Sequence, residues 1–387
     1  MMPIYMYLPN FYHENFDISL QSIGLVLLVV RIFDAILWPV LGVASDYFTN
    51  IKREIVLISA PLLGIGFVLL FHPLTQENIV AWIFSTLCFT YLFFNLIQIN
   101  YQSLAIGFSK DYNEITKIIA SRQILGVVAI ICASVIPALL FTKYSQIQSF
   151  LIIGLVCLAL FIIFSLIFYF KSPQASFPNG HKKLDFSLLK AKAFRPIFSI
   201  FFLNAVSFGC AAALMLFFVE IVLDAQHLIS WFLGLYFGGL LFGIPFWSYL
   251  AKKLKSKAQA WKIAMILNLI IFAFCLVLRQ GDVIFYAIIC LTTGFCFGAD
   301  YCISFSVLTD IIQKEKVQRL GSTVLGVVNF ITKVCFAVIS GGLLFFLGKI
   351  QEEAPAYEVS FILVTYCLIP CLVKVVTLRI LFKNPHY

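Results

Sequence analysis

RIFDAILWPVLGVASD, Arg31 to Asp46, lies largely within an apolar run from Ile18 to Ala44 that is long enough to cross a bilayer. Arg31 falls near the middle of that run, and Asp34 follows one helical turn later on the same face. A charge at bilayer depth costs roughly 2.5–3.5 kcal/mol on insertion scales. Two of them would weaken insertion unless they pair or face water. The spacing therefore directs this face toward a polar interior or pathway rather than toward lipid.

Working outward, the 387 residues are 62% hydrophobic and only 12% charged, half the share of a soluble domain, which is about 25%. That composition describes an all-α polytopic membrane protein. The formal net charge of +9 would suit nucleic acid, but its placement does not. Lysines and arginines such as Lys52, Arg53, Lys110, Lys182, Lys252 and Lys314 fall in alternate inter-helix loops, with only Lys143, Arg279 and Lys349 opposite. This is the positive-inside pattern, so the richer side is expected to be cytoplasmic, with the C-terminus on it. A multi-pass protein of a bacterial inner membrane is expected, embedded in lipid, with no nucleic-acid partner and as a monomer. The 11 cysteines lie mostly inside apolar runs without a C-x-x-C pair and read as small packing residues. No cleavable signal peptide is visible.

The first apolar segment, Met2 to about Tyr12, falls short of the roughly 20 residues of a crossing and reads as the far half of a helix truncated at its N-terminus. Further crossings are expected at Ile18–Ala44, Ile55–Phe71, Ile79–Gln102, Ile118–Phe141 and Phe150–Phe170. A polar linker, residues 171–196, contains LDFSLLKAKAF, an amphipathic piece suited to the membrane surface. Six more crossings follow from Ile197 to Phe382. The expectation is about twelve helices in two six-helix bundles, residues 1–170 and 197–387. The halves echo each other weakly in WPVLGVASDYFTNIKR (38–53) and IPFWSYLAKKLKSK (244–257), each with a proline before a polar exit. Parallel repeats of this kind suit a binding site at the midplane.

Arg31, Asp34, Arg122, Asp300 and Lys333 all fall within helices, and intramembrane charges mark pathways by default. The competing reading is a set of ion pairs that lock helices together. Asn95, Gln98, Asn100 and Gln102 form a polar stripe on one helix, and Asn204 is an isolated amide on another. Such amides suit either a hydroxylated solute or interhelical hydrogen bonding. Lys374 and Glu220 are expected to snorkel toward the interface. The loop G-V-A-S-D, Gly42 to Asp46, with Arg53 beyond it, reads as a cytoplasmic gate, as does the loop bearing Asp310. Gly42 allows close helix approach, and Asp46 can accept hydrogen bonds from a neighbouring helix N-terminus. All five histidines lie in loops or at the tail, and there is no H-E-x-x-H helix and no Walker lysine loop. No enzyme activity, metal site or cofactor is expected.

These stretches resemble the glycoside–pentoside–hexuronide cation symporters, the melibiose-permease branch of the major facilitator superfamily. The most specific part is PIYMYLPNFYHENFDISLQSIGLVLLVVRIFDAILWPVLGVASD (3–46), followed by GFCFGADYCISFSVLTDIIQKEKVQRLGSTVLGVVNFITK (294–333). NYQSL (100–104) to Arg122, LLKAKAFRP (188–196) and GIPFWSYLAKKLKSK (243–257) are similar to further parts of the family pattern. The resemblance implies the major facilitator fold, alternating access, and coupling of a solute to Na+, H+ or Li+. It implies that Arg31 and Asp34 sit in the cation and sugar region, with Lys333 near it and Arg122 at the arginine of helix 5.

Four positions depart from the family pattern. Trp38 stands where the second carboxylate of helix 2 would be, removing an oxygen ligand for a hard cation. Gln98 replaces the helix-4 carboxylate, Asn100 a proline, and Ile115 an arginine. A proton is accordingly favoured over Na+, and a galactoside is disfavoured. The expected function is cation- or proton-coupled symport of a small polar solute, sugar-like at most by resemblance. A lysophospholipid or amphiphile carrier is the alternative within transport, and a transport-inactive scaffold or sensor the alternative outside it.

Overall fold

A computed structural model of the protein describes residues 2–75, 77–108, 112–172, 194–353 and 357–384. Its described secondary structure is helical throughout. The helices are α1 (Met2–Phe16), α2 (Leu20–Tyr47), α3 (Lys52–Phe71), α4 (Ile79–Phe108), α5 (Tyr112–Leu140) and α6 (Gln146–Lys171), then α7 (Phe194–Phe217), α8 (Ile229–Lys253), α9 (Lys257–Ala273), α10 (Val283–Lys314), α11 (Gly321–Glu353), α12 (Glu358–Ile362) and α13 (Ile369–Lys383). A π turn, Phe218–Val222, extends α7, and a second, Leu363–Leu368, joins α12 to α13. Eleven spans among the described residues are long and apolar enough to cross a membrane; α1, with 15 residues, is not among them. The amphipathic piece expected in the linker lies almost wholly outside the described residues.

Several helices run past the apolar segments that announce them. α4 continues to Phe108 and α10 to Lys314, because the helical hydrogen-bond ladder persists into polar residues once the span has nucleated it. Helix ends are set locally. Ser19 caps α2 by accepting from the Ser22 N–H, and Ser145 with Gln148 forms a reciprocal capping box at the start of α6.

The chain divides into two compact units. The first comprises Met1–Ser109, Val128–Leu184 and Gln318–Phe330; the second comprises Lys110–Val127, Asp185–Val317 and Ile331–Tyr387. In the first unit α3 packs on α4 and α6, and α2 on α4. Its core gathers Leu8, Phe11, Tyr12, Leu70, Phe71 and Phe150, with the Phe71 and Phe150 rings stacked 4.2 Å apart. The Tyr12 hydroxyl donates to the Leu70 carbonyl at 2.5 Å, which ties α1 to the end of α3.

In the second unit the dominant contact is α8 on α10, with α9 on α10 and α7 on α13. Glycines make the first of these possible. A Cβ added at Gly243 would lie 2.1 Å from the Phe295 carbonyl oxygen, and one at Gly294 equally close to that of Tyr236. Small residues one turn apart let two backbones touch, which is how helices associate where burial from water provides no drive between them. The α8–α10 pair is therefore the closest-packed part of this unit that the glycines mark, and α10 carries Asp300.

Candidate functional site

Three carboxylates, Asp34, Asp46 and Asp300, are buried, each with a different set of partners. Asp34 on α2 is 5% exposed, and Asn95 on α4, fully buried, donates to its Oδ1 at 2.8 Å. The Asn95 Oδ1 itself has no hydrogen-bond partner among the described residues. A carboxylate and an amide oxygen thus stand side by side in a buried place, the donor chemistry that a proton or a small hard cation uses. Trp38, one turn beyond Asp34 on α2, is buried as well. Further along α4, Gln102 donates to the Oε1 of Gln98 at 3.1 Å, and its own Oε1 is a second buried acceptor without a hydrogen-bond partner among the described residues. Arg31 is exposed.

Asp46 terminates α2 in a different way. Its oxygens accept from the backbone N–H groups of Ser322 at 3.0 Å and Thr323 at 2.7 Å, and from the Thr323 hydroxyl at 2.6 Å. These are the first orphan N–H groups of α11, so Asp46 serves as an N-cap donated by another helix, favoured also by the positive end of the helix dipole. Lys52, the first residue of α3 and buried, lies 3.4 Å from Asp46 and donates to the hydroxyls of Ser103 at 2.6 Å and Ser322 at 2.8 Å. Ser45 donates to Asn100 at 2.8 Å and meets Ser322 at 3.0 Å. Gly42, one turn earlier, has no room for a side chain: an added Cβ would lie 2.7 Å from the Ser322 carbonyl oxygen. The result is a desolvated clasp joining α2, α3 and α4 to the start of α11.

Arg53 does not join this clasp. It donates to the Tyr169 carbonyl and lies over the Tyr169 ring on α6, 5.3 Å from the ring centre. Lys52, its neighbour, takes the place beside Asp46. Asp310, at the end of α10, pairs instead with the buried Lys257 at the start of α9, at 2.7 Å.

In the second unit Asp300 is 8% exposed, and Lys374 of α13 forms an ion pair with it. The Trp261 indole on α9 donates to the other carboxylate oxygen at 2.6 Å. Lys374 also donates to the Asn204 side-chain carbonyl on α7 at 2.9 Å. Lys374 is thus not a snorkelling residue: its head is buried among three helices, because Asp300 offers it a countercharge that the interface does not. Arg122, half-buried on α5, lies within electrostatic reach of Tyr301, and its neighbour Gln123 donates to the Tyr301 carbonyl at 2.8 Å. Lys333, half-buried, lies on the part of α11 that belongs to this unit.

The structure therefore brings Asp34 to Asn95, Gln98 to Gln102, Asp46 with Gly42 to the start of α11, and Asp300 to Asn204 through Lys374. Reading by residue type passes over Lys52, Ser103, Ser322, Trp261 and Lys374. Only Lys374 carried a signal that could have found it, a lysine inside an apolar run that also has an unpaired mid-span aspartate elsewhere in the chain.

Solved structures share this fold. The E. coli fucose:proton symporter FucP superposes with a TM-score of 0.75 at 12% identity, covering 97% of this chain and 93% of that one. A bacterial homologue of the iron transporter ferroportin, in an outward-facing state, gives 0.75 at 15% identity, covering 100% and 95%. At such identities the likeness is one of fold. A search of the curated proteins gave no match. The sequence pattern of the MFS/sugar transport proteins matches residues 1–385. The chain, a multi-pass integral membrane protein of major facilitator fold, thus belongs to the MFS/sugar transport protein family.

Proposed function

We propose that this protein is a secondary transporter that carries a small polar solute by alternating access in symport with a proton, and that Asp34 takes the proton. The observation that carries the reading is the Asp34–Asn95 pair. A carboxylate buried within a membrane span accepts from a neutral amide, Asn95, whose own oxygen has no hydrogen-bond partner among the described residues. A carboxylate at that depth is a costly charge, and a proton that neutralises it relieves the cost. Trp38 removes the second carboxylate that a sodium site would use, which supports a proton over Na+.

Gln98 and Gln102, in the same unit as Asp34, offer amide groups to a hydroxylated solute. Gly42, Asp46 and the start of α11 form the gate, with Lys52 as the countercharge. The clasp closes the lysine-rich end, cytoplasmic by the positive-inside rule, and opens when the cycle turns. The family and the fucose:proton symporter among the structural relatives support a sugar or polyol as the solute to try first.

The test is uptake into proteoliposomes with a panel of labelled sugars and polyols under an imposed pH gradient. Wild-type protein should accumulate at least one of them against its concentration. Asp34→Asn should equilibrate that solute without accumulating it. Full gradient-driven accumulation by Asp34→Asn would refute the coupling role. Loss of exchange for every solute by wild type, with lysophospholipid moved instead, would move the protein to the amphiphile carriers.

A further inference from the structure

α9 and α13 pack on each other in the second unit, and each has one exposed side that is apolar for most of its length. Ile266 and Ile270, four residues apart, share that side of α9, and Leu372 and Val376 share that of α13. The polar groups Trp261, Lys374 and Thr377 of the same helices are buried. An exposed, wholly apolar face on a membrane span is the face that meets acyl chains.

The lysine-rich end of this surface changes character. Arg379 and Lys383, one turn apart, continue the exposed side of α13, and Phe382 beside them is exposed as well. Lys262 of α9 continues the line of Ile266 and Ile270, and its ammonium lies 4.7 Å from the centre of the Phe382 ring. That contact brings the cations of the two helices to one place, at the level where apolar side chains give way to charge.

None of the three cations meets a carboxylate or donates a hydrogen bond among the described residues. Lys257, at the start of α9, is already neutralised by Asp310. Lys262 lies about 7.5 Å further along the helix, inside the apolar span. A lysine there ordinarily snorkels to water. Here the ammonium is seated on an aromatic face, which attracts it but supplies no oxygen. Its donors, and those of the Arg379 guanidinium, are left for a group from outside the protein.

The group that fits carries oxygens, a negative charge and an apolar tail. Inorganic phosphate has the first two and makes no use of the apolar surface below. A zwitterionic phospholipid brings an ammonium of its own, which unpaired cations repel. An acidic phospholipid supplies all three. We propose that the α9–α13 surface binds an acidic phospholipid, its phosphate bridging Lys262 and Arg379 while an acyl chain lies along Ile266, Ile270, Leu372 and Val376. The site stands or falls without the transport reading.

Native mass spectrometry tests it on the purified full chain, titrated with phosphatidylglycerol or with phosphatidylcholine of equal chain length. A cation beside an acidic headgroup is worth about fivefold in affinity, so with two of them on the phosphate the first phosphatidylglycerol should bind roughly twentyfold more tightly than the first phosphatidylcholine. Lys262→Gln with Arg379→Gln should erase that preference. Phe382→Leu, which removes the seat of the ammonium and keeps the surface apolar, should cost about two- to fivefold. Lys252→Gln with Lys253→Gln takes the same charge from the exposed end of α8, where neither lysine meets a ring among the described residues, and should leave the preference unchanged. All these side chains are exposed or half-buried, so each variant should unfold in detergent at the wild-type temperature, which separates loss of lipid from loss of fold. The proposal is overturned by wild-type protein that takes both lipids equally, or by a preference that survives the loss of Lys262 and Arg379. It is overturned as well by an equal loss from the Lys252 and Lys253 pair, which would make the attraction a property of charge spread over that end of the molecule.

Discussion

Asp34 and Asp300 are both aspartates within membrane-spanning helices, and both are nearly inaccessible, yet their surroundings differ in kind. Asp300 has an ammonium on one oxygen and an indole N–H on the other. Asp34 has an amide donor from Asn95, and that amide has an oxygen to spare. A carboxylate whose charge is matched by a buried ammonium contributes to holding helices in place, and removing either partner strands the other. The hydrogen bond from Asn95 to Asp34 survives protonation, because the acid keeps an oxygen that accepts. The contrast separates stability from transport: Asp300 should dominate the first and Asp34 the second.

The largest stability effect should come from breaking the Asp300 pair on one side. Lys374→Met leaves the carboxylate without its cation and should destabilise the protein by about 3–5 kcal/mol, the range for stranding one member of a buried ion pair. Adding Asp300→Asn should recover most of that loss, since two neutral side chains of similar size need no compensation. Thermal unfolding in detergent, run as a double-mutant cycle, reads both. A Lys374→Met variant as stable as wild type would mean that the pair carries no structural load.

Asp46 lies between the two extremes. It meets an ammonium at 3.4 Å, beyond ordinary hydrogen-bond length, and two backbone N–H groups at 2.7–3.0 Å. Asp46→Ala should cost about 1.5–3 kcal/mol, the value of hydrogen bonds to a charged group. The loss is local, so the Ser322 and Thr323 amides should exchange with solvent roughly ten to a hundred times faster, at about 1.4 kcal/mol per factor of ten. Gly42→Val attacks the same clasp sterically, because the Ser322 carbonyl occupies the place of the new Cβ. It should open those amides as Asp46→Ala does while leaving every clasp hydrogen bond chemically intact. Unchanged exchange in both variants would remove the clasp from the gate.

The architecture was legible because it rests on length and apolarity. Spans from α2 to α11 begin and end near the apolar runs that announce them, and their ends drift only where a helix continues into polar residues, as at Phe108 and Lys314. The Asp46 contact was legible for a similar reason: a small residue one turn before an acidic helix end is a local pattern with a local meaning. The partners were not. Lys52 and Arg53 are adjacent cationic residues, and nothing in their order says which of them faces inward. Lys374 was misplaced because snorkelling depends on what lies beside the residue in space, and Asp300 is 74 positions away. The α8–α10 contact shows the same limit. Gly239, Gly243, Gly294 and Gly298 are visible in the sequence, but only the fold shows that each pair meets the other helix.

The smallest stability effect and the sharpest functional one should coincide at Asp34. Asp34→Asn keeps the side-chain shape and an oxygen for the Asn95 amide to donate to, so that hydrogen bond survives. The substitution also removes a charge from the interior, which offsets what is lost in hydrogen-bond strength. The net change in stability should stay under about 1 kcal/mol. Transport should divide into two measurements. Counterflow, which needs only loaded carrier moving both ways, should continue, because a permanently neutral side chain resembles the protonated state. Accumulation driven by a pH gradient should vanish, because no proton is released on the far side. A variant that loses both has lost the solute site rather than its coupling, and one that keeps both places the proton elsewhere. Asp300→Asn run in parallel distinguishes the centres: it should lower stability far more than Asp34→Asn, and it should not reproduce the split between exchange and accumulation.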